Sequence, residues 1–358
     1  MADAPSWHTD EFPELRSGPP WVTEEMVAAQ PELARELLES PPEGTAALVA
    51  AIRDAAGAGE PVTVVGCGTS EHGAMAIAAL LDEALGGSWP PAAVARQSLD
   101  AAERPQSGGV CLGVSHDGGT RATTLALEAA ASAGAVTALV TNRPGGSASG
   151  PAQHVLVTPV HDDSWCHTVA YVSSIAVGAA LARELGLAVI DGTEAETLLR
   201  AALDRPPAAA ALSGADRVLC AGVGLDLVTA RELALKLAEG ARVPTAALHL
   251  ETLLHGHLAG EDAATAVVLV ESAPSAARIE RRAALAAAAL GAIGMPVLTL
   301  LPSEGYHGPV ARLLAGAAEL QRLTLALAAS RGVNPDLIRR EEEPYRRAGE
   351  LGEGSGDW

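Results

Sequence analysis

Twice along this chain a short, mostly apolar run ends in Gly-x-Gly and passes directly into an apolar helical pattern. The first copy is PVTVVG (61–66) followed by CGTSEHG and the stretch AMAIAALLDEALG; the second is RVLCAGV (217–223) followed by GLDLVTARELALKLAEG. Strand, glycine turn and helix together mark a parallel α/β layer, whose strands are covered on both faces and therefore read as continuous apolar runs. With 48% apolar but only 3% aromatic residues, the core must be built from Ala, Val and Leu. That favours closely approaching helices and strands over a β-sandwich.

Further strand patterns follow each start. Residues 110–115, 135–141 and 154–159 extend the first copy, with helical stretches from 121 and from about Thr168 to Leu185. PTAALHL (244–250) and residues 266–272 and 296–301 extend the second. The sequence thus predicts an α/β protein of two flavodoxin-like, three-layer α/β/α units with parallel sheets, related by duplication. The expected divisions are a helical leader (1–44), a first unit (45–190), a second unit (191–333) and a tail (334–358). The leader has helical spacing broken at Pro31 and is placed as one or two helices outside the core. A length of 358 residues suits two domains, and no short period recurs that would signal a solenoid.

A formal charge of -20 argues against nucleic-acid binding through phosphate contacts. It also requires any anionic ligand to find local donors, such as a helix N-terminus. No apolar run approaches the length of a membrane span, and no basic-then-apolar leader suggests a signal peptide, so a cytoplasmic protein is expected. Cys67, Cys111, Cys166 and Cys220 are widely separated and read as free thiols rather than disulfides or a zinc site. Phosphate-loop and dinucleotide fingerprints are absent, so neither a cofactor nor a metal is expected.

In open parallel sheets ligands gather at the carboxyl ends of the strands. Two loops stand there: Gly66-Cys67-Gly68-Thr69-Ser70 and Ser115-His116-Asp117-Gly118-Gly119-Thr120. Each could be an ordinary helix cap, but two hydroxyl- and glycine-rich loops at equivalent strand ends point to a polar small-molecule pocket. In the second copy stands Lys236, the only lysine, the other 23 basic residues being arginine. A partly buried lysine can lose its proton, which arginine cannot. Glu232, Lys236 and Glu239 share one helix face, and His255 follows in Glu251-Thr-Leu-Leu-His255-Gly-His257. A carboxylate, a lysine and a histidine supply what a sugar isomerase needs: a base for the C–H beside a carbonyl and an acid for ring opening. The same spacing equally allows a solvated stripe and a polar loop.

In order, GCGTS with its long helix, LGVSHDGGTRATTLAL, the strand ending in TN, ARELALKLAEG and HGHLA resemble the landmarks of the double sugar-isomerase (SIS) domain family. The family is typified by the isomerase half of glutamine–fructose-6-phosphate aminotransferase; nothing in the chain resembles that protein's glutaminase domain. The resemblance covers roughly residues 20 to 340. It implies two SIS units and a site for a sugar, amino sugar or sugar phosphate. Gly68, Thr69, Ser70, Ser115, His116, Asp117 and Thr120 would form the sugar loops. Ser164 and Thr168, in a pattern with Asp162 and Tyr171, would join them. By the same resemblance Glu239 moves a proton between C1 and C2, Lys236 assists it, and His255 opens the ring, reaching into the site of a neighbouring subunit in a homodimer. The implied activity is aldose–ketose isomerisation or fructosamine deglycation through an enediol; a non-catalytic sugar-phosphate sensor is the alternative.

Two departures stand out. Asp117 occupies a place where the family has a phosphate-binding serine, and a carboxylate there repels phosphate unless a protonated His116 or a cation offsets it. The tail from Asn334 to Tyr345 has no lysine where the amidotransferase-type members form an imine. Lys236 is then either an electrostatic partner of Glu239 or the amine to which such chemistry has moved.

Overall fold

A computed structural model describes residues 16–272, 277–300 and 307–353. The start of the leader (1–15), Leu301 of the last expected strand and residues 354–358 of the tail lie outside the described residues. Five strands, β1 (Val62–Gly66), β2 (Ala93–Gln97), β3 (Val110–Val114), β4 (Val136–Thr141) and β5 (His154–Val157), form one sheet in the order 2-1-3-4-5. Four more, β6 (Arg217–Gly222), β7 (Thr245–His249), β8 (Thr265–Val270) and β9 (Val297–Leu300), form a second in the order 7-6-8-9. Every pairing is parallel. In each sheet the first strand lies between the second and third, so chain order reverses at the end of β1 and again at the end of β6, where a crevice for ligand opens.

Twelve α-helices accompany the sheets among the described residues: α1 (Val22–Glu39), α2 (Thr45–Ala58), α3 (Thr69–Ala84), α4 (Ser98–Glu103), α5 (Arg121–Ser132), α6 (Val169–Leu185), α7 (Gly192–Leu203), α8 (Leu225–Ala241), α9 (Leu250–Leu254), α10 (Ala277–Ile293), α11 (Pro309–Arg331) and α12 (Glu343–Glu353). Helix α6 is buried on all sides from Val169 to Ala182, as a helix apolar all round must be. Leu80 of α3, Tyr171 and Ile175 of α6, Leu233 and Leu237 of α8 and Leu313 and Leu320 of α11 belong to one continuous core that joins the two units.

Duplication is written into the backbone of the two glycine turns. Gly68 has φ 57° and ψ −129°, and Gly224 has φ 59° and ψ −124°, a region that side chains make costly. A Cβ on Gly66 would lie 2.3 Å from the Ser70 carbonyl oxygen, and one on Gly222 2.5 Å from the Asp226 carbonyl carbon. Each outer glycine lets the first helical turn fold back against the strand end.

Two expectations are corrected. Helix α1 runs unbroken through Pro31. The backbone bond lost there is offset by packing, since Leu33 and Leu37 enter the core of the first unit and Ala34 and Leu38 the central core. The leader is therefore part of the core rather than an outer layer. Strand β2 was not anticipated: it is a short edge strand, with a single fully buried residue among five.

Candidate active site

Helix α3 starts at the glycine turn of the first unit, and α8 packs against it from the second. Their facing side chains form one buried chain of polar groups. The Thr69 hydroxyl donates to Glu232 Oε1 at 3.3 Å, and His72 Nδ1 lies 2.7 Å from Glu232 Oε2. Lys236 Nζ is 3.7 Å from Glu232 Oε1 and donates to Glu239 Oε2 at 2.5 Å. Glu232 and Lys236 are sealed from solvent, whereas the Glu239 side chain keeps 24% of its surface exposed. The expected helix face is thus a buried charge relay rather than a solvated stripe.

The electrostatics assign protons along this chain. Burial alone would push the Lys236 amine down, but the carboxylates of Glu239 and Glu232 outweigh it and hold the amine above its ordinary value. A raised amine favours the ammonium form of Lys236 and disfavours amine chemistry on it. Glu239 is raised by burial, an effect that the neighbouring Lys236 opposes and Glu232 reinforces. A carboxylate lifted toward neutrality and open to solvent at one side is suited to take and return a proton.

The second loop, between β3 and α5, faces the same region. Ser115 Oγ lies 3.1 Å from Thr120 Oγ1 and 3.3 Å from Asp117 Oδ1, and the Gly119 N–H donates to Asp117 Oδ1 at 3.0 Å. His116 accepts the Asp162 N–H on Nε2 at 2.8 Å, which places its proton on Nδ1. Burial and the nearby His161 lower its pKa to about 4. A protonated His116 therefore does not supply the cation that a phosphate would need. The His116 ring stacks on His161 at 5.3 Å and tilts against His167 at 5.5 Å. Ser70 and His116 line one small cavity with Thr141, Thr158, Ser173 and Ser174, so the two glycine-rich loops meet there.

The segment joining β5 to α6 lies within reach of the Lys236 charge, which acts on Asp162 and Cys166. Asp162 is fully buried, and its Oδ2 accepts the Thr168 and Ala170 N–H groups at the start of α6. Asp162 Oδ1 and Thr168 Oγ1 are buried with no hydrogen-bond partner among the described residues. Ser164 departs from the expectation of a sugar contact. It is buried against the Thr23 hydroxyl at 2.8 Å, accepts the Cys166 N–H, and lies 3.5 Å from Asp336, a tie between leader, loop and tail.

His255 stands apart. It ends α9, which follows the edge strand β7, and its side chain is 73% exposed with Glu251 at 3.2 Å. Within one chain it does not join Glu239. His72, by contrast, was missed, although it lies one helical turn after Thr69 and so shares its face. All four cysteines are free thiols; burial pushes the Cys111 thiol up to about 12. Among the described residues no group of three or more His, Cys, Asp or Glu is placed to hold a metal ion. No helix among them is long and apolar enough to cross a membrane.

With this geometry in place, the comparisons decide the fold. Residues 60–183 match the family model of the SIS domain. The first unit is a SIS domain. Over most of the chain the two-unit architecture recurs in solved structures. One is the C-terminal domain of glucosamine-fructose-6-phosphate aminotransferase from Francisella tularensis, with a TM-score of 0.71 and 17% identity, covering 90% of this chain and 99% of that one. Tagatose-6-phosphate ketose/aldose isomerase from Escherichia coli gives 0.71 and 17%, covering 88% and 95%. Glucosamine-6-phosphate deaminase from Thermotoga maritima gives 0.68 and 17%, covering 88% and 96%. No curated protein matches the sequence. The two-unit fold is shared; at such identity the reaction must be argued from this chain's own residues.

Proposed function

We propose that this chain is a stand-alone SIS-fold isomerase of a sugar or amino sugar, with fructosamine deglycation as the nearest variant reaction. The observation that carries the reading is the relay His72–Glu232–Lys236–Glu239, buried at one end and open at Glu239. Glu239 removes the proton from the carbon beside the carbonyl of the open-chain sugar. The electron pair moves to the carbonyl oxygen, giving an enediolate that the Lys236 ammonium stabilises. A proton passes from the adjacent hydroxyl to the enediolate oxygen, and Glu239 returns the abstracted proton to the neighbouring carbon, which leaves the carbonyl one position along. Glu232, held by Thr69 and His72, keeps Lys236 charged and in place. Hydroxyls of Ser70, Ser115 and Thr120 orient the sugar.

Ring opening is assigned to His255 of a second copy in a homodimer, since in its own chain the residue is exposed and distant from the relay. Mixing Glu239→Gln and His255→Ala proteins tests this: hybrid dimers that recover activity support it, and inactive hybrids refute it.

The proton transfer is tested by solvent deuterium uptake at the carbon beside the carbonyl in aldoses, ketoses and fructosamines. Uptake by the wild type that vanishes in Glu239→Gln is the expected result. Tight sugar binding without uptake would make the protein a sensor instead.

A further inference from the structure

Donors of the second sugar loop are already engaged by a carboxylate of the chain itself. A glycine- and hydroxyl-rich loop opening a helix is a ready cradle for an anion. Here Asp117 Oδ1 takes the Gly119 N–H at 3.0 Å and faces the Ser115 hydroxyl at 3.3 Å. The backbone of the loop is held from behind. Its back is pinned by Asn142 N–H and the Thr141 hydroxyl, which donate to the His116 carbonyl at 2.8 and 3.0 Å, and by the Ala148 N–H on the Gly118 carbonyl at 2.9 Å. A Cβ on Gly146 would lie 2.3 Å from the Gly118 oxygen, so the two loops are in closest contact.

Two basic groups near the loop have partners of their own. His116 presents a lone pair, not a proton, to the Asp162 N–H, and the Arg143 guanidinium reaches His161 at 3.1 Å. The chain as a whole carries a formal charge of -20.

Building on the sugar-isomerase reading above, we infer that Asp117 determines specificity: the site takes an unphosphorylated sugar that presents a hydrogen-bond donor, a hydroxyl or an ammonium group, to the Asp117 carboxylate. A phosphate ester is excluded by the anion already seated in the cradle.

The test measures binding by calorimetry and by thermal shift to inorganic phosphate, to glucosamine and glucosamine 6-phosphate, and to fructose and fructose 6-phosphate. The expected wild type gains no stability from phosphate and prefers the free sugar of at least one pair by about tenfold or more. Asp117→Ser is expected to bind inorganic phosphate and to invert that preference. Asp117→Asn keeps the acceptor for Gly119 but removes the charge, and serves if the serine variant folds poorly; it is expected to lose the exclusion of phosphate. A wild type that binds a phosphate ester more tightly than its free sugar overturns the inference while leaving the sugar reading intact, as do variants that still exclude phosphate. Absence of any sugar binding in wild type and variants alike overturns the sugar reading, and this inference with it.

Discussion

Replacing Asp162 by Asn should change how stability depends on pH, because Asp162 and His116 are buried side by side with opposite proton linkages. Burial raises the Asp162 pKa from 3.8 to about 7, against the opposing Thr168 and Ala170 N–H bonds and the Lys236 ammonium. The native state therefore holds an extra proton between those values. The stability this group contributes is fully present below pH 3.8 and is lost as pH rises through about 7. That window spans just over three units, or about 4 kcal/mol at about 1.4 kcal/mol per unit. His116 works the other way. Burial, His161 and Arg143 lower its pKa from 6.5 to about 4, against Asp117, so its contribution grows as pH rises from 4 to 6.5. In the wild type the two slopes largely cancel. In the Asp162→Asn variant the amide oxygen would still accept the Thr168 and Ala170 N–H groups, but the side chain would not titrate. Urea unfolding of both proteins from pH 4.5 to 7 should show the stability gap moving in favour of the variant by about 3 kcal/mol. A gap that stays constant within about 1 kcal/mol would refute a buried, proton-holding Asp162.

Two further outcomes follow from the same contacts. Lys236→Met should lower stability by about 3–5 kcal/mol, because it leaves Glu232, with no exposed surface, without its cation; denaturant midpoints check this, and a loss below about 1 kcal/mol would mean the relay is not charged. Asp336→Ala removes the acceptor for the Val22 and Thr23 N–H groups and the Thr23 hydroxyl; it should cost about 1–2 kcal/mol and open the tail from 334 onward to limited proteolysis, whereas an unchanged cleavage pattern would show that the clamp does not hold the tail.

Much of the fold was legible because its determinants are local. The two Gly-x-Gly turns, the apolar strand runs and the hydroxyl-rich helix starts each carry their own signal within a short stretch of chain, and each formed near the expected position. What escaped depends on partners far away in the chain. The bond between His72 and Glu232 spans 160 positions, and nothing in either segment alone announces it. Ser164 fits a sugar-loop pattern in sequence, yet the arrival of Thr23 and Asp336 from both ends of the chain buries it in a structural tie. Pro31 reads as a helix break by local propensity, and tertiary packing on both faces of α1 overrides it. Lys236 is the clearest case. Its isolation in an arginine-rich sequence sets it apart, but whether it is charged or neutral depends on carboxylates at 2.5 and 3.7 Å.

The duplication also shows how far the two strand ends have diverged in their side chains. Ser70 and Asp226 hold equivalent places, two residues past the second glycine of each turn, and the steric demand on Gly66 and Gly222 is the same. The side chains have diverged. Ser70 lines a polar cavity with His116. Asp226 instead accepts a hydrogen bond from Ser272, while Arg312 Nε donates to Ser272 Oγ at 2.7 Å and Arg312 Nη2 lies 3.3 Å from Asp226 Oδ1. That ion pair sets the chain's own charges at the end of β6. The second unit is left to act through the helix that follows its glycine turn: α8 carries Glu232, Lys236 and Glu239 across to the hydroxyls of α3. Backbone geometry was kept in both copies because sterics leave no alternative, whereas polar side chains were free to specialise. One strand end lines a polar cavity, and the other carries an internal ion pair.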